Sequence, residues 1–286
     1  MSAVASMPRI DAHLHLWDLS VSDYAWLGPR HGAIFSTFTA DEARAELDTA
    51  GIGSVVLVQA EDSLRDTEFL LDTAARNQWV AGVVGWVPLD DAAAAERELD
   101  RWQKSPVFRG VRHLVHNDPR DGFLALDSVR RSLALVAARG LTFDVSDAWP
   151  RHLSDVQSLA AALPDLTIVV DHLGKPPIGG ADYPEWRNAL TRVADHQNTV
   201  AKFSGLRVAG VAFSVETIRP TWETALDIFG PGRLMYGGDW PMSVPFGGYQ
   251  PTWQVMSDLI GELSLDEQAT VFSGTAASTY RLGELR

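Results

Sequence analysis

Arg9-Ile10-Asp11-Ala12-His13-Leu14-His15-Leu16-Trp17-Asp18 sets two histidines one residue apart in an otherwise apolar run near the start of a 286-residue chain. Side chains alternate faces along a β-strand, so a strand here projects His13 and His15 to one side, with Asp11 one step behind. On a helix the same two side chains would point about 200° apart and could not converge on one atom. Polar residues in a buried strand need partners. The pair alone is compatible with two satisfied core histidines, so the surrounding chain has to decide.

Working outward, short apolar, β-branched runs recur at residues 53–60, 80–88, 107–115, 141–146, 166–173, 199–205 and 233–240, after the first at 9–17. Their near-continuous apolarity is that of strands covered on both faces. Amphipathic stretches lie between them, at residues 63–77, 91–104, 127–139, 154–163, 183–196, 214–229, 252–263 and 264–281, several closed by Gly or Pro. Eight β-then-α units in this length predict an α/β fold, a (β/α)8 TIM barrel occupying residues 1–286 as one domain. A doubly wound open sheet competes, but no glycine-rich phosphate turn follows the first strand. Residues 17–40 read as a long irregular connection, long enough to be a functional loop over the barrel mouth.

Composition narrows the function. With 24 Lys and Arg against 37 Asp and Glu, the net charge of −13 lacks the clustered cations of a nucleic-acid face. The absence of cysteine excludes disulfides and Cys-ligated zinc. No run approaches the roughly 18 apolar residues of a membrane span, and the first eight residues are too short and uncharged for a secretory signal. The expectation is a cytoplasmic protein acting on a small-molecule substrate, with no membrane or nucleic-acid partner and with a homo-oligomer left open.

Catalytic groups of such barrels sit at the C-terminal ends of the strands, and the odd polar residues of this sequence fall there. They are His13 and His15 on strand one, Gln59 on two, Trp86 on three, and Arg112-His113 on four. Asp144 and Ser146 follow on five, Asp171-His172 on six, Lys202 and Ser204 on seven, and Asp239 on eight. Chance placement would scatter them through helices and strand starts.

The segments 10–17 (Ile-Asp-Ala-His-Leu-His-Leu-Trp), 83–87 (Val-Val-Gly-Trp-Val) and 110–115 (Gly-Val-Arg-His-Leu-Val) form the first half of an ordered set. Segments 170–176 (Val-Asp-His-Leu-Gly-Lys-Pro), 202–206 (Lys-Phe-Ser-Gly-Leu) and 233–241 (Arg-Leu-Met-Tyr-Gly-Gly-Asp-Trp-Pro) complete it. In this the chain resembles the amidohydrolase superfamily, and within it the branch of sugar-lactone and pyrone-dicarboxylate lactonases. The resemblance implies a barrel hydrolase in which Asp239 activates water while His13, His15, His172, Arg112 and His113 handle the electrophile. It also implies metal ligands at the His-x-His pair, after strands five and six, and at the strand-eight Asp. Neither a strand-five histidine nor a bridging lysine after strand four is present, which argues against a two-metal centre. His13, His15 and Asp239, with His172, still suit a mononuclear zinc, although similar lactonases work with no required metal.

For the substrate, Gln59, Asp144, Ser146 and Lys202 with the faces of Trp17, Trp86 and Trp240 match a neutral polyhydroxylated aldonolactone. A dicarboxylate lactone would call for several cations at the mouth, and only Arg112, Lys175, Lys202 and Arg207 are on offer. The alternatives are that dicarboxylate lactone, a metal-dependent decarboxylase of the same superfamily, and a non-catalytic small-molecule binder on a barrel of this kind.

Overall fold

The computed structural model describes residues 8–283. Eight strands, β1 (Ile10–Leu14), β2 (Ser54–Val58), β3 (Val80–Gly85), β4 (Phe108–His113), β5 (Thr142–Val145), β6 (Thr167–Val170), β7 (Thr199–Phe203) and β8 (Leu234–Tyr236), form one parallel sheet in sequence order. The ring closes through a bridge between Leu14 and Trp240, with His15 N donating to Trp240 O and Asp239 N to His13 O, each at 2.8 Å. The expected TIM barrel is therefore the fold. Its strands are shorter than their apolar runs, because several runs continue past the last paired residue into the loops that carry the polar groups.

The helices are α1 (Ala40–Ala50), α2 (Leu64–Arg76), α3 (Ala92–Trp102), α4 (Asp127–Ala138), α5 (Leu153–Ala162), α6 (Tyr183–Ala194), α7 (Val215–Phe229) and α8 (Tyr249–Ile260). The first is absent from the sequence reading, although its start carries a full signal. Thr39 Oγ1 accepts from Glu42 N at 3.3 Å while the Glu42 carboxylate accepts from Thr39 N at 2.8 Å, a reciprocal capping box. The helix expected over 264–281 is instead α9 (Leu265–Ala269), a π-helical turn at Thr270–Gly274, and α10 (Thr275–Thr279). The irregular connection after β1 holds one 3-10 turn, Pro29–Ile34.

One irregularity positions the site. Ile10 and Ala12 belong to the cluster inside the barrel with Val56, Val58, Val84, Val169 and Met235, whereas Leu14 and Leu16 belong to the cluster beneath the helices. Between Asp11 and Leu14 the β1–β2 register slips by one residue. Such a bulge re-aims every side chain beyond it, so His13 and His15 follow Ala12 to the interior. Asp11 does not share their face, contrary to the plain alternation read from sequence. Its carboxylate instead accepts from His13 N and Gly238 N, each at 2.9 Å, and from Tyr249 Oη of α8 at 2.7 Å, tying β1, the β8 loop and the helix layer together.

Candidate active site

Three imidazoles converge where β1, β6 and β8 end. His13 Nε2 lies 3.0 Å from His15 Nε2, and the His13 ring packs edge-on against His172, centroids 4.4 Å apart. Asp239 reaches the group with Oδ1, 3.6 Å from His15 Nε2, 3.8 Å from His13 Nε2 and 3.9 Å from His172 Nε2. Each ring is oriented through its other nitrogen. His15 Nδ1 donates to Val58 O at 2.8 Å, His172 Nδ1 lies 2.8 Å from Ser204 Oγ, and His13 Nδ1 sits between Lys202 Nζ (3.1 Å) and Asp171 Oδ1 (3.3 Å). Asp239 and His172 are held at left-handed φ of 51° and 56°, sparsely populated for residues with a Cβ and common at functional sites. Gly205, at φ 58°, leaves room for both, since a Cβ there would collide with the His172 ring and stand 2.8 Å from Asp239 Oδ2.

Burial keeps the imidazoles neutral. It pushes the His13 pKa down to about 3 and those of His15 and His172 well below the usual imidazole value. With His15 neutral and its Nδ1 proton spent on Val58 O, Nε2 bears only a lone pair. His15 therefore cannot donate to a carbonyl oxygen, the task expected of it; its Nε2 lone pair accepts from His13 Nε2 at 3.0 Å or can ligate a cation. Burial drives the Asp239 carboxyl up to about 7 despite the nearby Lys175, the range of a working general base.

Beneath the imidazoles lies a fully buried ion network. Lys202 Nζ is 2.7 Å from Asp144 Oδ2 and 3.0 Å from Asp171 Oδ1, Tyr280 Oη donates to Asp144 Oδ2 at 2.7 Å, and Thr142 Oγ1 to Asp144 Oδ1 at 2.9 Å. Arg112 Nε donates to Asp171 Oδ2 at 2.8 Å and Nη1 to Gln59 O at 3.1 Å. Burial raises Asp171, but Lys202, His13 and Arg112 together outweigh it and hold that carboxyl well below the usual range.

A cleft of about 260 Å³ opens above, bordered by His15, His172, Asp239, Arg112, Trp17, Lys175 and residues named below. Of the expected site residues, these five (Asp239, His15, His172, Arg112, Trp17) reach it, with His13 directly underneath. Asp144, Lys202 and Gln59 have no exposed surface and are locked into the network, so they cannot touch a ligand as expected. Nor does His113. Its ring stacks on Phe123 (4.1 Å), lies 3.2 Å from Asp118 and accepts from Trp86 Nε1 at 3.2 Å, which uses both nitrogens and the Trp86 indole together. Ser146 donates to His113 O at 3.2 Å, and Trp240 packs edge-on against Phe38. Both stand outside the lining, and Trp17 spends its indole N–H on Ser36 O. Sequence reading missed Trp26, Arg30 and His31, which the loop after β1 brings to the cleft, and His116 and Asp147, one turn beyond the strand ends where polarity alone carries no signal.

The amidohydrolase family matches residues 10–282. The chain belongs to the amidohydrolase family. An L-fucono-1,5-lactonase of Burkholderia ambifaria is 33% identical to it over 280 residues, covering 96% of each chain. A 2-pyrone-4,6-dicarboxylate hydrolase of Comamonas testosteroni is 26% identical over 251 residues, covering 81% of this chain and 76% of that one. The crystal structure of an amidohydrolase from Burkholderia multivorans with bound zinc superposes with a TM-score of 0.88 at 31% identity, over 96% of this chain and 100% of the other. This amidohydrolase is an enzyme of the hydrolase class, and none of its described helices is long and apolar enough to cross a membrane.

The donor set of the amidohydrolase site suits a zinc ion. His13 Nε2, His15 Nε2 and Asp239 Oδ1 are mutually 3.0, 3.6 and 3.8 Å apart, close to the roughly 3.3 Å between ligands of a tetrahedral ion with bonds of about 2.0 Å. The outer contacts of the imidazoles are those that orient metal-binding histidines. Ligation by His13 Nε2 would leave the ring proton on Nδ1, which faces Asp171 Oδ1 at 3.3 Å and also the Lys202 ammonium at 3.1 Å. A second grouping, His13 with Asp171 and His172, is less suited because Arg112 and Lys202 already engage Asp171.

Proposed function

We propose that this enzyme opens the ring of a lactone, and that the lactone is a neutral aldonolactone. The observation that carries the reading is Asp239: a carboxyl raised to about 7, on the floor of the cleft, within 3.9 Å of three neutral imidazoles. The 33% identical L-fucono-1,5-lactonase supports the sugar lactone as substrate class.

In this mechanism a water molecule donates a hydrogen bond to Asp239 Oδ1 beside the imidazoles. Asp239 takes one of its protons as the water oxygen bonds to the ester carbonyl carbon, and the C=O π pair moves onto oxygen. Arg112 spends Nε on Asp171 and Nη1 on Gln59; its fixed planar fork leaves Nη2 for that oxyanion, with Lys175 adding positive charge. When the carbonyl reforms, the ring C–O bond breaks and Asp239 returns its proton to the leaving alkoxide, giving the hydroxy acid. A zinc ion held by His13, His15 and Asp239 would supply Lewis acidity and a more acidic water; Arg112 and Lys175 would keep their place beside the oxyanion.

A pH-indicator screen of aldono-1,5-lactones against carboxylated lactones tests the reading, with metal content measured on the same sample. The expected result is acid release from the aldonolactones, with an acid limb in kcat/KM near pH 7 set by Asp239. Turnover of carboxylated lactones alone would overturn the substrate class, and activity strictly tied to bound metal would overturn the metal-independent mechanism.

A further inference from the structure

Two groups bordering the cleft take no part in this hydrolysis. His116 Nδ1 lies 3.0 Å from Ser146 Oγ, and Ser146 donates to His113 O at 3.2 Å. A hydroxyl has one proton to give. Since Ser146 gives its proton to the carbonyl, His116 must donate from Nδ1, and Nε2 of the neutral ring is left as an acceptor. Burial supports that neutrality by pushing the His116 pKa down to about 4. Beside it, Asp147 is held at a left-handed φ of 38°, and its Oδ1 is enclosed with no hydrogen-bond partner among the described residues. That oxygen is turned away from the cleft, where lacking a donor is costly, while the half-buried carboxyl of Asp147 and the His116 ring border the same cleft as Asp239.

We propose that the Asp147 carboxylate and His116 Nε2 form a paired acceptor that binds substrate hydroxyl groups and so selects a neutral polyhydroxylated ring over an anionic one. The proposal rests on the lactonase reading for the identity of the ring, while the hydroxyl recognition stands on this wall of the cleft alone. A carboxylate-bearing ligand would meet the Asp147 charge at close quarters, whereas a sugar hydroxyl supplies the donor that both acceptors lack. Asp147 is in this sense a specificity-determining residue; its charge also helps to raise Asp239, an effect shared by every substrate that cancels in a ratio of two.

The test compares Asp147→Asn with the parent enzyme on an aldono-1,5-lactone and on δ-valerolactone, which has the ring without hydroxyls. Loss of hydrogen bonds to a charged acceptor is expected to lower the ratio of the two kcat/KM values by about 10- to 100-fold, mostly through KM for the sugar lactone. A uniform loss on both substrates, leaving the ratio unchanged, overturns the proposal. Calorimetric binding of a polyhydroxylated δ-lactam gives a readout free of turnover, with affinity expected to fall at least about 10-fold in the variant; equal affinity overturns the proposal. If the parent protein binds that lactam but opens no lactone, the reaction assignment fails, and the affinity comparison still decides the role of Asp147. Should Asp147→Asn not fold, His116→Gln carries the same comparison.

Discussion

Replacing Lys202 with methionine separates a structural cation from a substrate contact. The ammonium has no exposed surface and lies 2.7 Å from Asp144 and 3.0 Å from Asp171. Methionine keeps most of the stem and removes the charge. Asp171 then retains Arg112, but Asp144 retains only the hydroxyls of Tyr280 and Thr142. Deleting one partner of a buried ion pair costs about 3–5 kcal/mol because the other charge stays behind uncompensated. At about 2–4 °C per kcal/mol for a chain of this size, the melting temperature should fall by roughly 6–20 °C.

The deficit should also depend on pH. Burial already raises the Asp144 carboxyl above its usual value, and loss of Lys202 raises it further. A carboxyl whose folded pKa exceeds its unfolded one loses stability as pH climbs from about 4 through the folded value, so the deficit is smallest near pH 4–5 and grows toward pH 8. Equilibrium urea unfolding and thermal melts across pH 5–8 measure this, and Lys202→Met/Asp144→Asn should be more stable than the single variant above neutrality. A loss under about 1 kcal/mol, the size expected of an exposed pair, would refute the buried-network account. An unchanged melting temperature with a raised KM would return Lys202 to the substrate.

Asp239→Asn should fold and lose at least about 100- to 1,000-fold in kcat; near-normal turnover in a lactone assay would rule Asp239 out as the base. In metal-free protein the same variant should gain on the parent as pH rises from about 4 through 7, by up to about 4 kcal/mol, since a buried carboxyl titrating near 7 opposes folding once ionised; paired melts at pH 4.5 and 8 read this difference. Gly205→Ala puts a methyl group against His172 and Asp239 at a left-handed φ, so kcat should fall by an order of magnitude or more while the fold persists, and parent-like kinetics would show that His172 can move without consequence. Zinc titration followed by calorimetry should show one site that His15→Ala weakens at least about 10-fold; identical isotherms would place the ion elsewhere.

The barrel was legible because eight doubly covered strands must be apolar throughout, and local periodicity records that directly. The catalytic end was legible too, because polar residues are tolerated at strand ends only where something pairs with them. What sequence could not assign was the depth at which each polar residue lies. Asp144 and Lys202 look as much like ligand contacts as Arg112 does, and only the closing of the ring puts them below the imidazoles, with Tyr280 of the C-terminal turn reaching Asp144 from the other end of the barrel. The register slip after Asp11 was equally hidden, since strict alternation puts Asp11 with the histidines and a bulge of one residue takes it away. His116 and Asp147 stand in loops, where no periodicity marks a residue as inward.

In the proposed mechanism, the separation of Asp171 from Asp239 is what lets a carboxylate work as a base. His13 touches both, at 3.3 Å and 3.8 Å, so distance to the imidazoles does not distinguish them. Their other neighbours do. Asp171 has Arg112 at 2.8 Å and Lys202 at 3.0 Å, which fix it as an anion that orients His13 and Arg112 and never needs a proton. Among the described residues Asp239 has no cation in such contact, and burial raises it to about 7, the range in which the proposed base can take a proton from water and give it back. Two carboxylates around one cluster thus acquire opposite duties from their surroundings. In the proposed mechanism the buried lysine matters although it never meets the substrate: by holding Asp171 ionised it keeps that residue from sharing the proton assigned to Asp239.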